Sequence, residues 1–229
     1  MRNSTSMFAL DIPVETLRRW MTANELWIPR SKRLKRPYQP RYNLDCFGEL
    51  IQIDGSYHDW FEGRAPKCCL LVYIDDATGK LLHLRFCEAE TTFDYMLSTK
   101  AYIEQYGKPL AFYSDEHSVF RVNQNSQITQ FDRILNELNI DIIFANSPQA
   151  KRRVVQDRLV KEIRLESICS IAEANAWLSS FIEQFNQKFA KCARNSNNLH
   201  RPLTESNLEL DDIFTWQKTR KVTKNLTIT

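Results

Sequence analysis

The chain lacks the sequence features that would place it in a membrane, outside the cell or around a structural zinc ion. No apolar run is long enough to cross a bilayer, and the N-terminus carries no apolar signal segment. The six cysteines form no Cys-x-x-Cys pair, and no histidine cluster has the spacing of zinc ligands. We therefore expect a protein of the reducing cytoplasm that makes no membrane contact.

A strong net charge is also absent. The formal charge is +3 over 229 residues, of which 43% are apolar, so one sizeable domain with an appendage is expected. The positive charge is nevertheless uneven, because it is concentrated in residues 30–37 and in a second cluster at residues 151–153. Such runs are often solvated linkers, but beside a DNA-binding motif they favour contact with phosphate.

Residues 1–27 are predicted to be helical and to carry part of a DNA-binding motif. Asp11 can cap the helix, Pro13 suits an early helical position, and the stretch Phe8–Trp20 has the pattern of the turn and second helix of a helix-turn-helix. A plain amphipathic helix is the alternative, since only seven residues precede this stretch. The proline-containing residues 28–47 are predicted to be a basic linker. The candidate DNA contacts in these two segments are Arg18, Arg19, Lys32, Arg33, Lys35 and Arg36.

The middle of the chain, residues 48–195, alternates short apolar runs with amphipathic segments. The predicted strands are Leu50–Asp54, Cys68–Asp75, Leu81–Cys87, Leu110–Ser114 and Asp141–Ala145. The predicted helices are Thr91–Tyr106, Ile128–Asn139, a helix from about Ser147 to Leu165, and Ala172–Phe189. This order predicts an α/β fold of the ribonuclease H-like class, with a mixed five-stranded sheet flanked by helices. Residues 196–229 are predicted to be a polar C-terminal tail.

Two aspartates follow apolar runs at points where strands of this sheet are expected to end. Asp54 follows Leu50–Ile53 and Asp115 follows Leu110–Ser114, so both carboxylates can converge at one edge of the sheet. A single aspartate at a strand end is usually a turn former, and we interpret Asp75 and Asp76 in this way. Two carboxylates on adjacent strand ends instead suit divalent-metal binding and phosphoryl transfer.

The segments around these aspartates carry a family resemblance. Residues 48–56 (GELIQIDGS) and 113–120 (YSDEHSVF) resemble the first two acidic motifs of bacterial insertion-sequence transposases with a retroviral-integrase-like catalytic core, most closely the ISNCY type. Residues 146–151 (NSPQAK) and 198–203 (NLHRPL) resemble later landmarks of the same family. The resemblance extends from the partial helix-turn-helix to Trp216.

The resemblance implies an activity, a cofactor and partners. Asp54 and Asp115 correspond to the first two catalytic, metal-binding acids of the family, with Mg²⁺ or Mn²⁺ as the cofactor. The implied substrates are DNA ends with terminal inverted repeats and a target DNA, handled by a homo-oligomer in the bacterial cytoplasm at the nucleoid. Lys151, Arg152 and Arg153 lie at a helix start beside the expected site, where they can grip the DNA backbone.

The third acid of the family pattern is missing. Family members follow the landmark at residues 146–151 with a Gly-Arg-Val-Glu segment, but here Val154 and Val155 occupy that region and about two helical turns are absent, as after an internal deletion. Glu162 is a weak candidate for the missing acid, because it returns to the same helix face as Val155 but lies roughly 10 Å further along the axis. Asp157 is weaker still, since it points about 200° away from the position of Val155.

Two functional hypotheses follow, together with a minor third. The first is a transposase that cleaves DNA and transfers strands, defective in this copy for want of the third acid, whose metal is then not bound productively. The alternative is an inactive DNA-binding relic, truncated at its ends, that occupies element ends or interferes with an intact relative. A nuclease of the same fold that needs only two acids is the third hypothesis.

Overall fold

The computed structural model describes residues 12–24, 26, 43–115, 128–145 and 152–218. The chain divides into two compact units, residues 1–42 and residues 43–229. The described part of the first unit contains one helix, α1, at Val14–Ala23, which follows Pro13 at the N-cap position and buries none of its residues. The rest of the predicted helix-turn-helix and the basic run at residues 30–37 lie outside the described residues.

The second unit is built on a mixed five-stranded sheet, which confirms the predicted architecture. Its strands are β2 (Leu50–His58), β3 (Cys68–Asp75), β4 (Leu81–Cys87), β5 (Ala111–Asp115) and β6 (Asp141–Ala145). They lie in the order β4-β3-β2-β5-β6. The pairs β4–β3 and β3–β2 are antiparallel, whereas β2–β5 and β5–β6 are parallel.

Helices cover both faces of this sheet. They are α2 (Thr92–Tyr106), α3 (Gln130–Glu137), α4 (Arg152–Leu165), α5 (Ile171–Phe189) and α6 (Asn207–Ile213). Side chains alternate along each strand, so the two faces of the sheet carry two separate cores, and β3 and β4 contribute to both. The first core joins Ile51, Ile53 and Tyr73 to residues of α2, α3 and α6. The second core joins Leu70 and Val72 to residues of α4 and α5. Within the described ranges, no helix combines the length and apolarity that crossing a membrane requires.

Strand β2 differs from its predicted bounds in a way that matters for the site. The sequence predicts that the strand ends at Asp54, but it continues to His58 because every residue from Gly55 to His58 pairs with β3. The polar run after Asp54 suggests a loop only when the neighbouring strand is unknown. Asp54 therefore lies in the middle of β2.

The boundaries of the predicted linker and tail also need correction. Cys46 and Phe47 form strand β1, which pairs in parallel with β7 at Asn195–Asn198, so the compact unit begins before residue 48. The predicted tail is folded against the core as far as the structure describes it. Leu210 of α6 is fully buried, and Leu203, Ile213 and Phe214 pack around the first core.

Hydrogen bonds and an ion pair hold the polar segment at residues 200–215 against the core. The Arg133 guanidinium of α3 donates to the carbonyl oxygens of Ile213 and Thr215 at 2.9 and 2.8 Å. Lys108 pairs with Glu205 at 2.7 Å, and its backbone pairs with that of Arg201. The imidazole of His200 bonds the Tyr102 hydroxyl at 2.6 Å. None of these contacts leaves a periodic apolar pattern in the sequence, which is why the segment was predicted to be a tail.

Helix α6 offers a direct test of the folded C-terminal segment. We expect Leu210→Ala to lower the free energy of unfolding by about 2–4 kcal/mol, because it leaves a cavity in the first core. Leu208→Ala is the matched control, since Leu208 lies on the same helix with 79% of its surface exposed, and its effect should stay within about 0.5 kcal/mol. Urea unfolding of both variants measures the difference. Equal effects would contradict the packing of α6.

Candidate active site

The parallel pairing of β2 and β5 positions the two candidate aspartates. Leu50 pairs with Ala111 and Gln52 pairs with Tyr113, a constant offset of 61 positions. Continuing the same offset by two residues sets Asp54 beside Asp115, on strands that lie about 4.8 Å apart. Asp115 is the last residue of β5 and pairs on its other side with Ala145 of β6. The observed β2–β5 pairs end at Gln52 and Tyr113, and the same offset would make the two aspartates neighbours in register.

Positions 54 and 115 also belong to the same face of the sheet by strand alternation. Asp54 is paired with Val72 across β3, and Val72 packs in the second core with Leu159 and Ile163 of α4. Cross-strand partners share a face, so Asp54 lies on the side of the sheet that α4 and α5 cover. The two-residue alternation along β5 places position 115 on that side too, because Phe112 belongs to the first core on the opposite side.

Helix α4 is the element on which the third acid of the family pattern is expected. The side chains of Leu159 and Ile163 on this helix are fully buried. Position 155 lies one helical turn before Leu159, and the residue there is valine. The first turn also contains Arg152 and Arg153, two of the predicted DNA contacts. Lys151 lies outside the described residues.

Glu162, the predicted substitute acid, lies beside α5. It lines a small groove with Phe181, Gln184 and Lys188 of that helix. One turn earlier, the guanidinium of Arg158 lies 4.1 Å from the centre of the Phe189 ring. This contact and the buried Leu159 fix α4 against its neighbours. Glu162 as a metal ligand therefore remains a prediction that would require the helix to move.

The C-terminal end of α4 is held by the loop between β2 and β3. The Nη1 atom of Arg64 donates to the carbonyl oxygens of Ile163 and Ile168 at 3.4 and 3.1 Å, and its Nε atom donates to that of Phe61 at 2.8 Å. Arg164 pairs through two nitrogens with Glu62, which lowers the pKa of that carboxyl.

The neighbouring acids are structural, as predicted. Asp75 is fully buried and accepts hydrogen bonds from the backbone amides of Gly48 and Thr78 at 3.0 and 2.7 Å. Asp76 accepts from the backbone amide of Leu44 at 2.9 Å and from the side-chain amide of Gln52. The two carboxylates therefore stabilise the turn after β3 and the start of the compact unit through hydrogen bonds.

The described side chains do not by themselves form a metal site. They exclude those of Asp115 and of residues 152–157, and among them no three histidine, cysteine, aspartate or glutamate side chains are grouped as metal ligands. Two aspartate carboxylates nevertheless have the oxygen chemistry that Mg²⁺ and Mn²⁺ prefer. Two carboxylates fit two of the three acidic positions of the family pattern.

The predicted DNA contacts in the first unit are only partly described. Arg18 and Arg19 are exposed on α1, where Arg18 also contacts Glu15 at 3.3 Å. An exposed pair of this kind contributes little to stability, so it leaves the guanidinium available to phosphate. Lys32, Arg33, Lys35 and Arg36 lie outside the described residues.

Comparison with known sequences gives two transposase relatives. The chain is 47% identical over 229 residues to protein y4bF of Sinorhizobium fredii (strain NBRC 101917 / NGR234), which carries a provisional name as a transposase; the match covers 95% of this chain and 50% of the relative. It is 33% identical over 166 residues to the transposase for insertion sequence IS1202 of Streptococcus pneumoniae, covering 67% of this chain and 35% of the relative. The chain thus spans about half, and about a third, of the length of these two relatives. No family model matches.

Comparison with solved structures gives the fold. The catalytic core domain of HTLV-2 integrase, solved in complex with magnesium, matches in its dimeric form with a TM-score of 0.50 and 16% identity, over 65% of this chain and 91% of that chain. Its trimeric form matches with a TM-score of 0.50 and 17% identity, over 62% of this chain and 88% of that chain. The chain is therefore a relative of bacterial insertion-sequence transposases, and its second unit has the ribonuclease H-like fold of integrase catalytic cores. The finer ISNCY grouping remains a prediction.

Arg64 and Arg164 form a matched pair for testing how α4 is held. Arg64→Ala removes three hydrogen bonds from a partly buried guanidinium, so we expect a loss of about 2–3 kcal/mol in the free energy of unfolding and faster amide exchange at the end of α4. Arg164→Ala breaks an exposed ion pair and should cost less than about 1 kcal/mol. Chemical unfolding with hydrogen exchange measures both effects. A larger loss for Arg164→Ala would contradict the assignment.

Proposed function

We propose that the chain carries the catalytic core of a DNA transposase, in which Asp54 and Asp115 are catalytic metal ligands. The observation that supports this most is the parallel pairing of β2 with β5, whose offset, if continued by two residues, would bring the two aspartates side by side on the face that α4 covers. The sequence relatives are transposases, and the structural relatives were solved with magnesium. The natural substrates on this proposal are the ends of an insertion sequence and a target DNA.

The carboxylates of Asp54 and Asp115 would hold Mg²⁺ or Mn²⁺ through oxygen atoms. When bound, such an ion supplies charge neutralisation at phosphate and lowers the pKa of an attacking water or 3′-hydroxyl. The parallel register would keep the two side chains at a fixed spacing, so little reorganisation is needed when metal binds. The helix start at residues 151–153 would neutralise the backbone of the DNA that approaches this face.

The remaining proposed DNA contacts lie in the first unit, on α1 and in the basic run that follows it. On this proposal Arg18 and Arg19 of α1 contact the duplex, and the basic run with Lys32, Arg33, Lys35 and Arg36 follows its phosphates. Residues 1–27 would be the helix-turn-helix part and the following residues the linker. The working species would be a homo-oligomer that holds DNA in the bacterial cytoplasm.

A second proposal concerns the activity of this copy. Position 155, one turn before the buried Leu159, carries valine where the family pattern has its third acid, and Glu162 lines a groove with α5. We infer that metal is bound without productive catalysis and that an internal deletion removed part of the segment before α4. The chain would then act as a DNA-binding relic that occupies element ends or competes with an intact relative.

Thermal unfolding with and without divalent metal tests the proposed ligands. A site saturated at 100 times its dissociation constant stabilises the folded state by about 2.7 kcal/mol, which raises the Tm of a domain of this size by about 5–10 °C. We expect Mn²⁺ or Mg²⁺ to raise the Tm of the native chain and of Asp59→Asn, but not that of Asp54→Asn or Asp115→Asn. Asp59 is the control because it lies beyond β2 and bonds the backbone of Gly63. A rise that survives Asp54→Asn would contradict the assignment.

Restoring an acid on α4 tests the second proposal. In Val155→Glu, with about two helical turns inserted before it, we expect Mn²⁺-dependent nicking of supercoiled plasmid DNA that the native chain does not show. Adding Asp54→Asn to the restored chain should abolish nicking, because one of the three required acids is then missing. Plasmid nicking needs no knowledge of the terminal repeat. Nicking by the native chain, or a folded and metal-binding restored chain that stays inactive, would contradict the deletion as the lesion.

A further inference from the structure

A pocket lies at the open edge of β4, between α2 and α5, and no part of the proposed DNA chemistry uses it. Its volume is about 270 Å³. Strand β4 is the outermost strand on this side of the sheet, so one of its edges has no neighbouring strand. The lining residues used below are His83, Leu84, Arg85, Gln105, Leu178 and Ile182.

Helix α5 closes most of this edge with two asparagine side chains. The Asn175 amide accepts from the backbone N–H of Phe86 at 2.8 Å and donates to its carbonyl oxygen at 2.9 Å. The Asn186 amide makes the same two bonds to Leu81, both at 2.8 Å. Each side chain thus replaces one residue of a missing strand, and together they protect the edge from pairing with other chains.

Leu84 lies between these two closed positions. In an antiparallel pair, alternate residues direct their N–H and C=O groups toward the partner strand and away from it. Because Phe86 bonds outward to Asn175, Leu84 two residues earlier must also direct both groups outward. In the part of the chain that the structure describes, no hydrogen bond satisfies either group. Leu84 lines the pocket, so this donor and acceptor face it.

The neighbouring side chains add a positive charge without an acidic partner. The Nε atom of Arg85 and the Nε2 atom of His83 are buried, and neither has a hydrogen-bond partner among the described residues. Burial and the nearby Arg85 lower the pKa of His83 to about 4, so its imidazole is neutral at pH 7. Arg85 is then the one charged residue among those that line the pocket. A partly buried guanidinium without a carboxylate favours an anionic ligand.

We propose that this pocket binds an extended peptide in which one residue pairs its backbone N–H and C=O with Leu84 and the acidic residue before it places its carboxylate on Arg85, because Leu84 and Arg85 lie on opposite faces of the sheet. The two asparagines limit strand addition to a single residue, so the side chain must supply most of the specificity. Leu178 and Ile182 of α5 offer apolar contact to the side chain of the residue that pairs with Leu84. A DNA phosphate could bind Arg85, but it has no hydrogen to donate to the Leu84 carbonyl oxygen.

A minimal ligand tests the proposal on the full chain. N-acetylglutamylalanine N-methylamide carries one carboxylate on its glutamate, and its alanine supplies the N–H and C=O that pair with Leu84. In ¹⁵N-resolved NMR we expect it to shift the Leu84 amide and the Arg85 Nε–H resonances saturably, with a dissociation constant of about 1 mM for a ligand of this size. The neutral glutamine analogue and Arg85→Gln should each weaken binding at least about tenfold.

Controls separate this site from other occupants. Arg194→Gln is the matched variant, because Arg194 is an exposed arginine that pairs with Asp45 elsewhere on the unit, and it should bind the probe as the native chain does. Absence of saturable shifts in the native chain, or equal binding of the glutamine analogue, would overturn the proposal. So would inorganic phosphate shifting Arg85 where the probe does not, which indicates a phosphate site. Concentration-dependent shifts of Leu84 without probe, with a doubled mass in sedimentation, would show a second copy in the pocket and also overturn it.

Discussion

The register between β2 and β5 is the constraint on which the rest of the account depends. Parallel strands cannot be joined by a short turn, so this pairing is made across the whole of β3, β4 and α2. Leu50 must meet Ala111 for Asp54 to meet Asp115, and a slip of one residue would move one aspartate to the opposite face. The buried Ile51, Ile53 and Phe112 enforce the register, because a slip would expose them. The proposed chemistry is thus fixed by hydrophobic packing.

The same packing explains why a missing acid on α4 is hard to replace. Leu159 and Ile163 hold the helix on the sheet, and Arg64 holds its last carbonyls to the loop after β2. A helix held at its buried face and at its end cannot slide by the roughly two turns that would bring Glu162 to the position of Val155. The packing that stabilises the core therefore also prevents another acid from replacing the one that is missing at position 155.

Much of this fold could be predicted because the central strands are marked by local patterns of apolar and turn residues. Strands β3 and β4 have their predicted bounds, since both are rich in apolar residues and a turn at residues 76–80 separates them. The extension of β2 past Asp54 was missed, because Gly55 and Ser56 become strand residues only through pairing with β3.

The segment around α6 contains Ser206 and Glu209, a capping box that could have predicted a helix start. Its packing through Leu210 and through bonds to backbone carbonyls could not be predicted from local pattern. The register of β2 against β5 is likewise long-range, so the sequence suggested two converging aspartates without determining their pairing.

The central claim is that Asp54 and Asp115 lie side by side and share a divalent ion, and a crystal structure of the chain grown with Mn²⁺ tests it most directly. An anomalous difference map locates the ion without reference to the protein chemistry. The account predicts a manganese peak within bonding distance of a carboxylate oxygen from each aspartate. Manganese bound to only one of them, or the two carboxylates on opposite faces of the sheet, would contradict it.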